Sequence, residues 1–418
     1  MDLSPDQPSP AEYRCPGENY SISRPVHLGR LAQFYPACRE CPHRDDTAGL
    51  SARQVRRLVE VRPRAQRPSL FHDEGVEADS INALSPETAW SLGVAMGTLL
   101  TQDPTAASRP PCVVIGGDGR AATATQVATL GEAVRWTGCQ VIDAGPASAP
   151  CLALAVRRLE ADGGVLVGGS ASGPHGVGVR FWTADAAPLS RGEELDRLER
   201  LARTDADRPV RTYGPLRRHQ ADADYLATLS PEYHAMRPLR VVLDATCGPV
   251  AGYLRELTRP VACRILPSRA AGQALGPQVL DAAAHCGVSI QDDGETCRLW
   301  DEQGRAVSPE ELFWLLATQS PVIERSAVVL EQGTSAELAQ RLESLGVRVV
   351  RSDPLRASMA RTMRQQAAAL GGGPSGRFWY PVEDAALPDA VRTLTRLLVL
   401  LSRSDRALSA VVAAVSDE

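Results

Sequence analysis

The most informative absence in this sequence is lysine, because all 45 basic residues are arginines. The chain therefore has no P-loop lysine, no Schiff-base lysine and no lysine general base, whereas arginine is well suited to bidentate recognition of phosphate. The sequence also contains no HExxH motif, no Walker motif and no catalytic-triad signature. Hydrolase and nucleotide triphosphatase functions consequently have little support.

Long hydrophobic runs are also missing. The longest, LLVLL at residues 397–401, is far too short to span a bilayer, and the polar, proline-rich start MDLSPDQPSPAEYR does not resemble a signal peptide. A formal net charge of -5 gives no reason to expect nucleic acid or an anionic membrane as partner. Without a secretion signal, the ten cysteines are expected to be reduced thiols, and a cytoplasmic location is expected.

Short apolar runs alternate with helical periodicity from about residue 69 onward. CVVIG at 112–116, QVIDA at 140–144 and residues 164–167 are predicted strands, with helices between them that run through Thr137 and over 150–159. This βαβ alternation predicts a parallel sheet covered by helices.

One opening pattern occurs three times, as VVIGGDG near 113, VVLDATCG near 241 and VVLEQGTS near 328. The repeats are too far apart for a solenoid. We therefore predict an α/β protein with three tandem α/β/α domains and mixed, mostly parallel sheets, over residues 68–210, 211–319 and 320–418. The polar stretches 204–222 and 318–326 are the expected linkers.

Residues 1–67 are predicted to form a small Cys-rich N-terminal module with a linker. Cys15, Cys38, Cys41 and His43 are a candidate Zn²⁺ site, with His27 as an alternative ligand, because Cys38-x-x-Cys41 can supply two tetrahedral ligands from one turn. A metal could fold a segment that has few apolar residues. The alternative is a set of free thiols in a loosely docked extension.

Five segments carry a resemblance to a known family: PSLFHDEGV from residue 68, VVIGGDGRAAT from 113, GGVLVGGSASGPHGVGVRFW from 163, GVSIQDDGETCRLWDEQG from 287 and ALGGGPSGRFWY from 369. In this order they resemble the opening loop, the D-x-R turn, the phosphoserine loop, the metal loop and the sugar-recognition loop of the alpha-D-phosphohexomutase superfamily, which includes phosphomannomutases and phosphoglucomutases. The resemblance covers residues ~68–418 and implies three similar α/β domains with a smaller fourth.

The resemblance implies a catalytic serine that passes its phosphoryl group to a bound sugar phosphate, a transfer that depends on positioning and charge neutralisation. Ser170 aligns with this phosphoserine, and Arg120 aligns with the arginine of the D-x-R turn. Ala171 and Ser172 replace the family's His and Asn, so His175 is the remaining candidate for general acid/base work. The alternative is a Gly/Ser loop left by loss of function.

The metal loop aligns Gln291, Asp293 and Glu295 with three family aspartates, which implies a Mg²⁺ site that is weakened or lost. A solvated acidic turn is the alternative. Glu77 stands where the family has an arginine, and Gly373 stands where it has the glutamate that contacts sugar hydroxyls. The substrate-binding candidates are Ser375, Gly376, Arg377 and Arg180.

After Trp379 we predict only a helix over 385–403 and a short tail, so the fourth domain, which holds the non-reacting phosphate, is expected to be absent. A protein partner or a second copy could then complete the site. The leading hypothesis is a phosphosugar-binding, phosphohexomutase-like protein with weak or lost mutase turnover. The first alternative is a non-catalytic scaffold or regulatory pseudoenzyme.

A third hypothesis is a dinucleotide-binding oxidoreductase. Gly117-x-Gly119-x-x-Ala122 follows a predicted strand and opens a helix, and Asp143 ends the next strand, as in a nucleotide fingerprint. The same turn is the one that the family resemblance assigns to the D-x-R motif.

Overall fold

The computed structural model describes residues 13–16, 18–33, 36–39, 41–59, 69–78, 82–102, 109–170, 173–192, 194–204, 212–269, 274–318 and 326–416. The chain forms two compact units, Met1–Ser69 and Leu70–Glu418. Most of the predicted linker at 318–326 lies outside the described residues.

The first unit is small and has little regular structure. Strands β1 (Tyr13–Arg14) and β2 (Ser21–Ile22) pair antiparallel, and helix α1 (Arg24–Ala32), a 3-10 turn (Pro36–Arg39) and helix α2 (Ala52–Val59) follow. Its buried side chains include Tyr13, His27 and Leu31. A core this small is consistent with the scarcity of apolar residues in the segment.

The second unit begins with a mixed seven-stranded sheet in the order β3-β4-β8-β7-β5-β6-β9. Strands β5, β6, β7 and β9 are parallel, whereas β8 runs antiparallel to β7. The strands are β3 (Phe71–His72), β4 (Gly75–Ala78), β5 (Cys112–Gly117), β6 (Gln140–Pro146), β7 (Gly163–Ser170), β8 (Gly173–Thr183) and β9 (Leu216–Arg218). The edge strand β9 lies within the stretch 204–222 that the sequence marks as a linker.

Two five-stranded sheets follow, in the orders β11-β10-β12-β13-β14 and β16-β15-β17-β18-β19. The second sheet contains β10 (Arg240–Ala245), β11 (Arg264–Pro267), β12 (Cys286–Gln291), β13 (Thr296–Asp301) and β14 (Ala306–Val307). The third contains β15 (Ala327–Glu331), β16 (Arg348–Ser352), β17 (Ala368–Gly372), β18 (Trp379–Val382) and β19 (Ala385–Pro388).

The repeated sequence opening occupies the same place in each sheet. It forms β5, β10 and β15, and each of these strands pairs parallel with one neighbour on either side. In each sheet an antiparallel strand follows the third parallel strand. Strands buried on both faces need continuous apolar runs, which is why CVVIG, VVL and AVVL are found here. The predicted class of tandem α/β domains with mixed sheets is confirmed; the domain limits stay predictions.

Helices cover the sheets of the second unit. They are α3 (Pro86–Thr101), α4 (Ala124–Trp136), α5 (Ala149–Arg158), α6 (Glu194–Ala202), α7 (Ala221–Leu229), α8 (Gly248–Thr258), α9 (Leu275–Asp281), α10 (Pro309–Thr318), α11 (Ala336–Ser344), α12 (Arg356–Gln365), α13 (Ala390–Leu401) and α14 (Leu408–Ser416). Hydroxyl side chains cap several N-termini; Ser148, for example, accepts a bond from the Cys151 N–H. In the described part of the chain, every helix is too short or too polar to cross a membrane.

The prediction of one helix over 385–403 is wrong at its start. Residues Ala385–Pro388 form β19, which pairs antiparallel with β18, and the helix begins at Ala390. Pro388 has no N–H for a helical bond, and Asp389 caps the helix by accepting a bond from the Arg392 N–H at 2.9 Å.

One buried apolar cluster runs through all three sheets of the second unit. It includes Val114 of the first sheet, Leu243 of the second and Leu330 of the third, each at most 5% exposed. Close packing of this kind fixes the strands relative to one another. The loops at the carboxyl ends of these strands are therefore held on a rigid base.

Candidate functional site

The predicted phosphoserine loop and metal loop lie against each other. Ser170 ends β7, and the Gly169 N–H donates a 2.7 Å hydrogen bond to Oδ1 of Asp293, which follows β12. A Cβ added to Gly168 would come within 2.4 Å of the same oxygen. The Asp293 carboxylate thus packs directly on the backbone beside Ser170. The side chains of Ser170 and His175 lie outside the described residues, so only their backbone positions are known.

Asp293 reaches this position through an unusual backbone conformation. Its φ of 58° and ψ of 25° are left-handed, and Gly294 follows with φ 99°. Two successive positive φ values turn the chain sharply after β12, and aspartate is among the residues that tolerate this region best. The turn buries the Asp293 side chain, which is 3% exposed.

Arg120 braces the strands on both sides of the Ser170 loop. Its Nη2 donates to the Gly168 carbonyl and its Nη1 to the Gly176 carbonyl, both at 3.0 Å. Its Nε forms an ion pair with buried Asp118. The D-x-R turn therefore positions the loop, and its guanidinium group is committed to protein acceptors.

Arg180, predicted to bind substrate, is buried at 5% exposure and joins two neighbouring elements. Its Nη2 donates to Glu77 Oε1 at 2.8 Å, and its Nη1 donates to the Glu74 carbonyl at 3.1 Å. Glu77 stands where the resemblance implies an arginine, so this position carries a negative charge in place of a positive one. In the structure that charge is paired with Arg180.

The three residues of the predicted Mg²⁺ site do not form a ligand set. Nε2 of Gln291 donates to Ser289 Oγ at 3.1 Å, whereas buried Glu295 forms an ion pair with buried Arg356. Among the described residues, no group of three or more His, Cys, Asp and Glu side chains could hold a metal ion. Glu295 therefore has a cationic partner within the chain, and the magnesium site stays a prediction.

Two glutamates and two arginines form a compact ion cluster next to this loop. The Arg356 N–H donates to Glu74 Oε1 at 2.7 Å, its Nη1 pairs with Glu74 Oε2, and Nη2 of Arg377 lies 3.0 Å from that oxygen. Nε of Arg377 is also 3.9 Å from Glu295 Oε2. Burial alone would raise the pKa of Glu74, but the guanidinium groups of Arg356 and Arg377 lower it below its ordinary value.

The ion cluster connects all three sheets. Glu74 lies in the turn between β3 and β4, Glu295 lies between β12 and β13, Arg356 is the first residue of α12, and Arg377 follows β17. Buried charges of this kind persist only when they are paired and hydrogen-bonded. The cluster therefore fixes how the three sheets meet around the site.

The predicted sugar loop is held by Glu331, the last residue of β15. Its Oε2 accepts a 3.0 Å bond from the Ser375 N–H, and its Oε1 accepts a bond from the Ser375 hydroxyl. Burial raises the pKa of Glu331, and these hydrogen bonds oppose that rise. At Gly373 an added Cβ would lie 2.7 Å from Glu331 Cβ and from Thr334 Oγ1. A side chain at Gly373 would therefore displace the residues that hold the loop.

The sugar loop also joins the strand that follows the metal loop. The Cys297 N–H donates to the Gly376 carbonyl at 2.9 Å, and Thr296 and Arg377 form an isolated antiparallel bridge. Gly376 has φ 78°, a conformation that favours glycine. The segments around Ser170, Asp293 and Ser375 thus lie at the carboxyl ends of parallel strands in three sheets. Ligands of open α/β sheets bind at such strand ends.

Three charged residues of this site were missed by the sequence analysis: Glu74, Glu331 and Arg356. Glu331 carried a signal, since it is an acidic residue at the carboxyl end of a predicted buried strand. Glu74 and Arg356 are 282 positions apart in the chain. No local pattern could have paired them.

In the glycine-rich turn on which the dinucleotide hypothesis rests, the Asp118 carboxylate accepts the hydrogen bonds of nearby donors. Asp118 Oδ1 accepts bonds from the Arg120 N–H at 3.0 Å and from the Thr123 hydroxyl at 2.9 Å, at the start of the following helix. Asp143, the acidic residue of that fingerprint, accepts a bond from the Gly145 N–H at 2.9 Å. An internal carboxylate therefore stands where a pyrophosphate would need donors.

The cysteines of the first unit lie near one another without forming a metal ligand set among the described residues. Burial, followed by repulsion from Cys15 and Cys41, raises the pKa of the Cys38 thiol. Nη1 of Arg30 donates to Cys15 Sγ at 3.1 Å. The structure does not support the predicted zinc site.

The histidines of this unit pack with an aromatic ring. His27 stacks on Tyr13 with ring centroids 4.4 Å apart, and the His43 ring meets Tyr13 edge-on at 5.1 Å. Nε2 of His27 is 3.1 Å from the His43 carbonyl oxygen. These contacts are typical of histidines that contribute to a small core.

Comparisons with known proteins agree with the architecture. The family model described as phosphoglucomutase/phosphomannomutase, alpha/beta/alpha domain I, matches residues 68–208. A probable phosphoglucosamine mutase of Methanosarcina barkeri is 24% identical over 351 residues, which cover 79% of this chain and 77% of the relative.

Solved structures show the same fold. A phosphoglucomutase/phosphomannomutase family protein of Burkholderia thailandensis superposes with a TM-score of 0.71 at 20% identity, covering 82% of this chain and 79% of that one. A variant of the Aspergillus fumigatus N-acetylphosphoglucosamine mutase in complex with glucose 1,6-bisphosphate gives a TM-score of 0.52 at 10% identity, covering 93% and 82%.

The three sheets, with loops at the carboxyl ends of their parallel strands, define a tandem α/β fold that is shared with a solved phosphoglucomutase/phosphomannomutase family protein. The chain is thus similar to phosphoglucomutases, phosphomannomutases and phosphoglucosamine mutases over residues 68–208 by the family model, and over most of its length by the relatives and the shared fold.

Proposed function

We propose that this protein binds a phosphosugar at the converging loops and has weak or no mutase turnover. The proposal rests on the observation that the guanidinium groups of the site are bound by oxygens of the protein. Arg120, Arg180, Arg356 and Arg377 all bind carboxylate or carbonyl oxygens of the protein itself. Phosphoryl transfer needs cations that face the transferred group. Here much of that positive charge is already balanced.

Ser170 is the proposed remnant of the phosphoserine. Its support is the placement of its backbone at the end of β7, between the Arg120 brace and the Asp293 carboxylate. A phosphoryl group on Ser170 would be repelled by Asp293 unless a cation lay between them. Slow phosphorylation, or none, is the expected consequence.

Sugar recognition is proposed to be weak for a similar reason. Glu331 contacts the predicted sugar loop, and both its oxygens accept bonds from Ser375. Arg377 remains the proposed phosphosugar contact because its side chain is partly exposed, at 15%, although it also binds Glu74. The ligand proposal draws on the glucose 1,6-bisphosphate complex of the structural neighbour.

The test is a coupled mutase assay with glucose 1-phosphate or mannose 1-phosphate, in the presence of Mg²⁺ and a sugar bisphosphate. We expect little or no turnover, together with saturable phosphosugar binding in isothermal titration calorimetry. Intact mass spectrometry after incubation with the bisphosphate reports whether Ser170 takes up a phosphoryl group. Turnover comparable to an active mutase would overturn the proposal.

A non-catalytic scaffold or regulatory protein is the second candidate. The ion cluster favours it, because Glu74, Glu295, Arg356 and Arg377 use their charges to join the three sheets. This candidate predicts a stable protein that binds no phosphosugar in the same calorimetric titration. A protein partner or a second copy would then be the ligand to seek.

A further inference from the structure

A carboxylate of the predicted metal loop, Glu295, is bound by an arginine. Glu295, which aligns with the last of the three expected metal ligands, is 2% exposed, and Arg356, with which it forms an ion pair, is also 2% exposed. Nη1 of Arg356 also pairs with Oε2 of Glu74, and the backbone N–H of Arg356 donates to Oε1 of Glu74. One buried cation therefore serves carboxylates from two different sheets.

The residues of this loop do not fit a bound Mg²⁺ as they stand. Magnesium needs oxygen ligands at about 2.0–2.1 Å in a nearly ideal octahedron. Oε2 of Glu295 is already bound by Nε of Arg356 and lies 3.9 Å from Nε of Arg377. A divalent ion there would be repelled by two guanidinium groups and would have to break a buried ion pair.

We infer that Arg356 takes the place of the divalent cation in this site, so that its buried carboxylates are neutralised from within the chain and Mg²⁺ is not needed. The inference concerns the protein without ligand. If the proposed phosphosugar binding is correct, that binding will also be independent of Mg²⁺. If no phosphosugar binds, Arg356 still takes the place of Mg²⁺ in the protein without ligand.

Loss of the Arg356 cation should raise the affinity of this loop for a divalent metal ion. Removing the Arg356 cation leaves Glu295 and Glu74 buried with less positive charge nearby, and Asp293 lies in the same loop. Buried carboxylates that lose one of their cationic partners are strongly unfavourable and attract hard cations. The substitution Arg356→Met should therefore destabilise the protein and at the same time create a response to Mg²⁺.

The experiment measures thermal unfolding of the full chain with EDTA and with millimolar MgCl₂. We expect the wild-type Tm to be the same in both conditions. R356M should unfold at a Tm lower by about 3–6 °C in EDTA, the size expected for breaking a buried ion pair in a chain of this length, and should regain part of that loss in MgCl₂. R356K, which keeps a positive charge, should show no Mg²⁺ response.

Arg364 provides the matched control. It lies on the same helix, is 39% exposed and pairs with Asp185 at 3.1 Å. R364M should leave the Tm nearly unchanged, since exposed ion pairs contribute little, and should not respond to Mg²⁺. A Mg²⁺ response in R364M equal to that of R356M would contradict the inference.

A second measurement does not depend on whether R356M folds. Wild-type protein is titrated into Mn²⁺ and the free ion is followed by electron paramagnetic resonance. We expect the signal of free Mn²⁺ to be undiminished up to millimolar protein. Saturable loss of that signal, competed by Mg²⁺, or a higher wild-type Tm in MgCl₂, would overturn the inference.

Discussion

The hydroxyl of Tyr225 donates a 2.8 Å hydrogen bond to Oδ1 of Asp389, the residue that caps α13. Both side chains are 2% exposed. Burial raises the pKa of Asp389, while Arg392 and its hydrogen-bond donors oppose that rise. Helix α7, which precedes the second sheet in the chain, is thus tied to α13, which follows the third sheet in the chain.

We predict that Tyr225→Phe lowers the free energy of unfolding by about 1–3 kcal/mol, because it removes a donor from a buried carboxylate. Asp389→Ala should cost more, since it also removes the helix cap. A double-mutant cycle measured by urea unfolding should give a coupling of about 0.5–3 kcal/mol. Additive effects would show that the two side chains do not interact.

Arg120→Ala should loosen the Ser170 loop. The substitution removes bonds to the Gly168 and Gly176 carbonyls and leaves Asp118 buried without its arginine, with an expected loss of about 2–3 kcal/mol in stability. Hydrogen exchange of amides 168–176 should accelerate. As a control, Arg109→Ala removes an exposed pair with Asp162 and should change these amides little.

Gly168→Ala should displace Asp293, because the new methyl group would lie 2.4 Å from its Oδ1. Overpacking of this kind typically costs about 1–3 kcal/mol. The control is Gly252→Ala in α8, where no heavy atom lies within 4 Å of the new Cβ and alanine favours the helix. The Tm of G168A should fall, and that of G252A should hold or rise. Equal values for both would show that the two loops are not in contact.

The acid branch of the stability curve should contain two opposite contributions. The pKa of Glu331 is raised in the folded protein, so its contribution to stability is present in full below its ordinary value of 4.5 and is lost as the pH rises through the folded value. The pKa of Glu74 is lowered, so its contribution is present above 4.5 and is lost as the pH falls further.

Urea unfolding at a series of pH values separates the two. Relative to wild type, Glu331→Gln should lose the gain in stability that accompanies acidification from neutrality toward pH 4.5. Glu74→Gln should be less stable near neutrality and should show a shallower loss below pH 4.5. The same pH profile in all three proteins would show that neither carboxylate has a shifted pKa.

Much of the fold could be predicted from local patterns. Continuous apolar runs identified the three central strands, and the βαβ alternation indicated parallel sheets. The helix predicted over 385–403 was wrong over its first residues because an apolar run of four does not distinguish a strand from a helix turn. Pairing with Trp379–Val382, a tertiary contact, decided that case.

The sequence by itself determined which loops lie at the carboxyl edge of each sheet, since residues that follow parallel strands share one edge of a sheet, and it marked Asp118, Arg120 and Ser170 at such positions; that the edges of three sheets meet is tertiary. Only the tertiary structure decided which charges are balanced. Glu74, Glu295 and Arg356 come from three distant parts of the chain. Burial makes their pairing obligatory, because an isolated charge in the interior is too unfavourable to persist. Composition shows only how many charges exist; packing determines which of them meet.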